Sequence, residues 1–270
     1  MDIQNIMKLY QEGKSLSFIA NKYNTYGAKI KKILLENNIT IRTRAEQNKI
    51  TNQERGKKVN HNYFDNIDTV QKAWLLGFLA ANGSVAEHRN RIKIDLSSID
   101  RTILEKIKNE IEAERDILDY ETNQGFQISE LSWSSENQKN KLAQYKIVPN
   151  KTYKGLTLPK FGNKEYQLAY MLGYYDGDGC FKNDGATCRI EICSYDSNIL
   201  KDFSNLIKEV FFIHKDIYKD KNRDNYYTLT YSTKDATQIL NSMYKIMSNG
   251  FYLQRKYDKY QKWLKENNRI

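Results

Sequence analysis

Trp74-Leu-Leu-Gly-Phe-Leu-Ala-Ala-Asn-Gly-Ser-Val85 returns later in the chain as Tyr170-Met-Leu-Gly-Tyr-Tyr-Asp-Gly-Asp-Gly-Cys-Phe181, with Asn82 and Asp178 in register. Self-similarity at a fixed separation marks a repeated structural unit. The likeness continues past both stretches. Arg91-Ile-Lys-Ile-Asp-Leu-Ser and Arg189-Ile-Glu-Ile-Cys-Ser alternate polar with apolar residues, the period of a strand with one buried face, and an amphipathic helix follows each. Phe126-Gln-Ile-Ser and Tyr226-Tyr-Thr-Leu-Thr-Tyr predict further strands, and Gln138 to Tyr145 and Ala236 to Met247 further helices. The repeats are placed at residues 65–160 and 161–270. Two copies in one chain imply a pseudo-twofold axis, which suits a partner that is itself nearly symmetric, such as duplex DNA.

Small residues four apart, Gly77 with Ala81 and Gly173 with Gly177, let two helix backbones approach closely, with Leu76, Phe78, Leu172 and Tyr174 filling the flanks. The two motif helices therefore form the interface between repeats. Gly83 and Gly179 are natural helix-ending residues, and the carbonyls just before them carry partial negative charge that favours a cation. Asn82 and Asp178 are thereby brought together at the ends of the paired helices.

These two helices resemble the signature of the LAGLIDADG homing endonucleases, in their two-repeat monomeric form. The resemblance covers about residues 65–270, including Val148-Pro-Asn-Lys-Thr-Tyr and Tyr252-Leu-Gln-Arg-Lys-Tyr, phrases that often close each repeat. It implies an α+β fold, two pseudo-symmetric αββαββα repeats whose sheets form a saddle over duplex DNA, acting as a monomer. It also implies a sequence-specific endonuclease that hydrolyses phosphodiesters across the minor groove with Mg²⁺ or Mn²⁺. By resemblance the metals lie on Asp178 and Asn82, helped by the backbone carbonyls of Ala81 and Gly177. Lys151 and Lys256 fall where the family often places a basic residue able to polarise the phosphate or orient water; ordinary DNA-backbone contact is the competing role. Hydrolysis needs an activated water and a stabilised leaving oxygen, work suited to a dication held by carboxylates and carbonyls. Arg91, Lys93 and Asp95, and Arg189, Glu191 and Cys193, would face the major groove and read bases. Ser98 and Ser194 are better read as caps than as pocket residues.

Asn82 departs from the family pattern, which has an acid there, and so does Ala80; Asp176 and Asp178 are intact in the second copy. An amide offers a metal a neutral oxygen and no charge. Slow cleavage of both strands, nicking of one, or no cleavage all follow from that. A non-cleaving DNA-binding regulator and an intron RNA maturase are the alternatives to the nuclease.

The first sixty residues hold twelve Lys and Arg against five Asp and Glu, most of the chain's net +10. Such a run is either a solvated face or a surface for phosphates. Ile3 to Gln11, Leu16 to Tyr23 with Ser15 as N-cap, and Tyr26 to Leu35 read as three short helices, the last with Ile30, Ile33 and Leu34 inward and Tyr26, Lys29 and Lys32 outward. Gly13-Lys-Ser-Leu-Ser-Phe-Ile-Ala-Asn-Lys-Tyr23 resembles the helix-turn-helix modules of resolvases and phage regulators, so residues 1–45 are expected to be a small all-α DNA-binding module. An ordinary three-helix accessory domain is the plainer alternative. Residues 46–64 are polar and aperiodic and read as a basic linker. Just before it, Arg42 and Arg44 would track the DNA backbone or enter a minor groove.

Composition narrows the rest. At 270 residues, 40% apolar and 12% aromatic, the chain folds. Its longest apolar run, Ala73 to Ala81, is about half of a membrane span. No cationic, apolar leader opens it, so the cytoplasm of a bacterial or phage-infected cell is the expected compartment. Cys180, Cys188 and Cys193 form no Cys-x-x-Cys pair and are read as small buried thiols. Phe181 stands where a calcium loop needs glycine, the three histidines do not cluster, and no Gly-rich phosphate loop occurs.

Overall fold

A computed structural model describes residues 2–55 and 59–269, which divide into two compact units, Met1–Lys57 and Lys58–Ile270. The first unit has four helices: α1 (Ile3–Gln11), α2 (Leu16–Lys22), α3 (Gly27–Glu36) and α4 (Arg44–Arg55). Ile6, Tyr10, Ile19, Ala20, Ile30 and Leu34 form its core, at the spacing that gives each helix one apolar face. Asp2 caps α1 and Ser15 caps α2 through side-chain oxygens, as their residue types favour. The polar stretch read as an aperiodic linker is helical through Arg55. Thr43 and Glu46 make a reciprocal cap at its start, Glu46 N donating to Thr43 Oγ1 and Thr43 N to the Glu46 carboxylate. That signal lies in two residues, outside any apolar period. Residues 56–58 of the expected linker lie outside the described residues.

The second unit opens with α5 (Val70–Asn82), continued by β1 (Gly83–Val85), β2 (Arg91–Ser97), α6 (Arg101–Glu110), β3 (Leu118–Glu121), β4 (Gln127–Ser134) and α7 (Glu136–Gln144). The same order follows: α8 (Lys164–Asp178), β5 (Gly179–Asp184), β6 (Thr187–Ser194), α9 (Ser197–Phe211), β7 (Tyr218–Lys219), β8 (Tyr227–Ser232) and α10 (Thr233–Ile246), closed by α11 (Gln254–Glu266). The unit is α+β, with two antiparallel sheets of matching order, β1-β2-β4-β3 and β5-β6-β8-β7. Along β2 the apolar residues Ile92, Ile94 and Leu96 are buried and the residues between them partly exposed; Ile190 and Ile192 do the same along β6. A row of β-branched residues facing helices on one side of each sheet accounts for this alternation.

α5 and α8 pack together along their length. A Cβ on Gly173 would stand 2.8 Å from Phe78 N and closer still to the Trp74 carbonyl oxygen. One on Gly77 would meet the Tyr170 carbonyl in the same way. Glycine is required at both crossings because any side chain would enter the opposing backbone. Gly83 and Gly179 end their helices with extended φ values of −72° and −87°, not in the left-handed region. Their glycine is set by close approach: a Cβ would lie 2.6 Å from the Leu79 and Tyr175 carbonyl oxygens, respectively. Among the described residues, no helix is long and apolar enough to cross a membrane.

Candidate active site at the paired helix ends

Because α5 and α8 pack so closely, their last residues become neighbours. A Cβ on Gly177 would enter the van der Waals shell of the Ala81 methyl and lie 3.4 Å from Asn82 Cγ. Asn82 is half-buried and Asp178, at the end of α8, is exposed. The structure thus sets Ala81 and Asn82, at the end of α5, against Gly177, the residue before Asp178. Asp178 is open to water on one side but crowded by protein on the others. That burial pushes its carboxyl above the ordinary range, while Lys151 and Lys256 pull it back.

The two lysines occupy equivalent places. Lys151 Nζ donates to the Gly83 carbonyl, and Lys256 Nζ to the Gly179 carbonyl, each just past its own motif helix. There the resemblance ends. Lys256 is buried and also donates to Tyr175 O at 2.7 Å and Asp176 O at 2.8 Å. An ammonium has three N–H groups, so these carbonyls use all of its donors. Lys256 is therefore a cation built into the C-terminus of α8, where the helix dipole is negative, and cannot also reach a phosphate. Burial lowers its pKa to about 8 against the opposing pull of Asp176. Lys151 is half-buried and, among the described residues, donates one hydrogen bond, which leaves two donors. Burial lowers its pKa as well, and the charge of Asp178 raises it.

Asp176, fully buried, joins the repeats. It accepts from Trp74 Nε1 at 2.9 Å and from Leu253 N at 3.2 Å, and burial pushes its carboxyl up to about 7. Ala80, its equivalent in the first repeat, makes no such bond. Repeat-to-repeat contacts missed from the sequence include the buried Asp100, which pairs with Arg255 Nε at 2.7 Å. Nothing in the local pattern of Asp100 could have shown this, since its partner is contributed by the other repeat.

The groups at these helix ends that could hold the dication implied by the resemblance are one carboxylate, Asp178, one amide oxygen, Asn82, and the carbonyls of Ala81 and Gly177. No group of three His, Cys, Asp or Glu able to hold a metal occurs among the described residues. None of the bonds made by Lys256 goes to the Gly177 carbonyl. Such a donor set fits one hard dication that keeps several waters and takes substrate phosphate oxygens, and does not fit a closed all-protein cage.

On the outer sheet faces the expected base-reading residues engage one another. Asp95 lies opposite Glu130 in register, a like-charge pair that Lys93 bridges at 2.5 Å and 3.9 Å, while Arg91 pairs with Glu130. On the second face Glu191 takes both Lys182 at 2.5 Å and Arg189 at 2.8 Å. Glu130 and Lys182 join these ion pairs through the strand register, which sequence spacing alone does not give. Cys188 is buried, but Cys180 is exposed and Cys193 half-buried on this face, so only one of the three is a core thiol. Ser194 accepts from Asp196 N at 3.1 Å, a turn-capping role, whereas Ser98 accepts from Ser129 Oγ at 3.1 Å.

In the first unit Tyr26, Lys29, Lys32 and Arg44 are exposed, with Lys32 3.8 Å from Glu36. Arg42, expected to be free to follow DNA, is instead half-buried. Its guanidinium lies 3.9 Å over the Tyr10 ring, Nη2 donates to Lys14 O at 2.7 Å, and its backbone N donates to the Tyr10 hydroxyl at 2.7 Å.

Residues 165–243 match the LAGLIDADG-like domain model, a span running from α8 into α10. An uncharacterized protein of Methanocaldococcus jannaschii is 30% identical over 161 residues, 56% of this chain and 53% of its own. The chain thus spans about half the length of that curated relative. Among solved structures, full-length DUF199/WhiA from Thermatoga maritima aligns with a TM-score of 0.48 at 16% identity, over 77% of this chain and 64% of that one. The I-SmaMI LAGLIDADG homing endonuclease bound to cleaved DNA aligns with a TM-score of 0.47 at 16% identity, over 72% and 87%.

Proposed function

We propose that this chain is a sequence-specific DNA endonuclease of the homing type, working as a monomer in the cytoplasm, with one complete centre and therefore a preference for nicking one strand. The carrying observation is Asp178: an exposed carboxylate at the end of α8, next to Gly177 where α5 ends against it, and within the electrostatic reach of Lys151 and Lys256. The match of residues 165–243 to the LAGLIDADG-like domain model and the basic first unit support the DNA part of the reading.

In this reading Asp178, Asn82 and the carbonyls of Ala81 and Gly177 would hold Mg²⁺ or Mn²⁺, which would supply Lewis-acid stabilisation of the phosphate and lower the pKa of water. Asp178 orients the attacking water. Lys151, with two unspent donors and a lowered pKa, faces the phosphate oxygens and offsets charge as it develops. Lys256 acts through α8, fixing the backbone that carries Gly177 and Asp178, and is a positioning residue. The sheet faces supply sequence readout by exchanging their internal ion pairs for base edges and phosphates, and the first unit extends the contact as a helix-turn-helix module.

A second reading, a non-cleaving DNA-binding regulator, is favoured by Asn82 and Ala80 together, since one half of the site has lost both acids. To separate the two, the purified protein is incubated with Mg²⁺ and the DNA flanking its own gene, with the intervening gene removed, and broken ends are mapped on each strand. Breaks confined to one strand and lost in Asp178→Asn, with binding retained, are expected. Intact DNA that is nonetheless specifically bound would move the assignment to the regulator.

A further inference from the structure

Within the first unit a cleft of about 510 Å³ lies against α2, the start of α3 and the segment leading into α4. The charged groups that line it are Arg42 and Arg44; its other polar walls are hydroxyls and amides, among them Ser17, Thr25, Asn21 and Gln47. Among the described residues the lining carries two guanidinium groups and no carboxylate; Glu46, bonded to Thr43 in the wall, offsets part of the Arg42 charge, and the net positive field that remains attracts an anion.

The backbone adds to that field. α3 starts at the cleft, and its N-cap, Tyr26, makes no side-chain capping bond. The first N–H groups of a helix have no partner inside it, and among the described residues those of Gly27 and Ala28 make no hydrogen bond, which leaves them as donors beside the positive end of the dipole. At the start of α4, by contrast, Thr43 and Glu46 satisfy each other. Arg42 is held in the wall by the Tyr10 ring and by Lys14 O, yet its Nε is buried with no acceptor among the described residues. Nε faces the protein interior, so what Arg42 offers the cleft is a guanidinium whose position is fixed before a ligand arrives.

We infer that this cleft is a phosphate-binding site that seats one nucleotide unit, its phosphate held by Arg44, Arg42 and the open N–H groups of α3. The volume exceeds a bare anion, the amides of Asn21 and Gln47 suit sugar or base, and the ring of Tyr26, 68% exposed, offers a stacking surface. The inference rests on the nucleic-acid part of the reading above and is independent of the paired helix ends. It also changes the role of Arg42, from a mobile contact to a positioned donor.

The test uses the full ¹⁵N-labelled chain, titrated separately with inorganic phosphate, with deoxyadenosine monophosphate and with a short duplex of arbitrary sequence, following the Gly27 and Ala28 amides by NMR. Shifts that saturate with the duplex but not with the mononucleotide identify a nucleic-acid backbone phosphate. Saturation by the mononucleotide identifies a free nucleotide. Arg44→Gln, at an exposed position, should weaken the same titration. For a duplex it should also lower the slope of log affinity against log salt by about 0.9, the loss of one phosphate contact. Unmoved Gly27 and Ala28 amides with all three probes, or a salt slope unchanged by Arg44→Gln, overturn the site. DNA breaks that persist alongside either result would leave the nuclease reading standing.

Discussion

Gly173→Ala adds one methyl group at the centre of the α5–α8 interface. The new Cβ would lie 2.8 Å from Phe78 N, against the 3.4 Å at which ordinary contact begins, and nearer still to the Trp74 carbonyl oxygen. The helices must therefore separate by more than half an ångström. The obstructing atoms are backbone, so no rotamer change relieves the clash. Overpacking costs about 1–3 kcal/mol where neighbours can yield, and a rigid facing helix places this substitution at the upper end. Alanine returns about 1 kcal/mol of helix propensity, leaving a net loss of about 2 kcal/mol. For a unit of this size that corresponds to a fall in melting temperature of roughly 4–8 °C. The same displacement parts Asn82 from Asp178, so cleavage should fall as well. Gly162→Ala is the matched control: a Cβ there meets nothing within 4 Å, and the change should be neutral or stabilise by up to about 1 kcal/mol. Urea and thermal denaturation of both variants check the difference. A Gly173→Ala variant as stable as Gly162→Ala would refute the close-packed interface and the site built on it.

Further expectations concern charge. Asn82→Asp should tighten metal binding and raise cutting of the second strand; calorimetric titration and strand-resolved gels that show neither change would remove the one-centre account. Lys256→Met strips three carbonyls and Asp176 of a buried partner and should cost about 3–5 kcal/mol of stability. Lys151→Met, losing one hydrogen bond, should cost roughly 1 kcal/mol while reducing cleavage more than binding; equal losses of stability would contradict the division of roles. Burial pushes the Asp176 carboxyl up to about 7 in the folded chain, from an ordinary 3.8. The folded state therefore binds the extra proton between those values, and stability should fall as pH rises from about 4 to 7. Asp176→Asn should flatten that slope in chemical denaturation series, and an unchanged profile would show that another group carries it.

Periodicity and repetition are local properties, and they were enough to determine the repeated helix-strand-helix order, the alternating faces of β2 and β6 and the small residues at the helix crossing. The pairing of Gly77 and Gly173 against opposing carbonyls follows from residue size, since a helix face without side chains is where another backbone can come closest. The approach of Ala81 and Asn82 to Gly177 was legible for the same reason. Tertiary structure decided what depends on distant partners. Lys256 spends its three donors on the last turn of α8 and the glycine after it, while its counterpart Lys151 keeps two among the described residues, a difference created by burial. Asp95, Glu130, Lys93 and Arg91 neutralise one another only once β2 and β4 are in register. Arg42, by sequence a free contact for the DNA backbone or minor groove, becomes a fixed cleft wall because Tyr10 folds beneath it. Local spacing sets which face a side chain takes; the number of hydrogen-bond partners left over on that face is set by elements that meet only on folding.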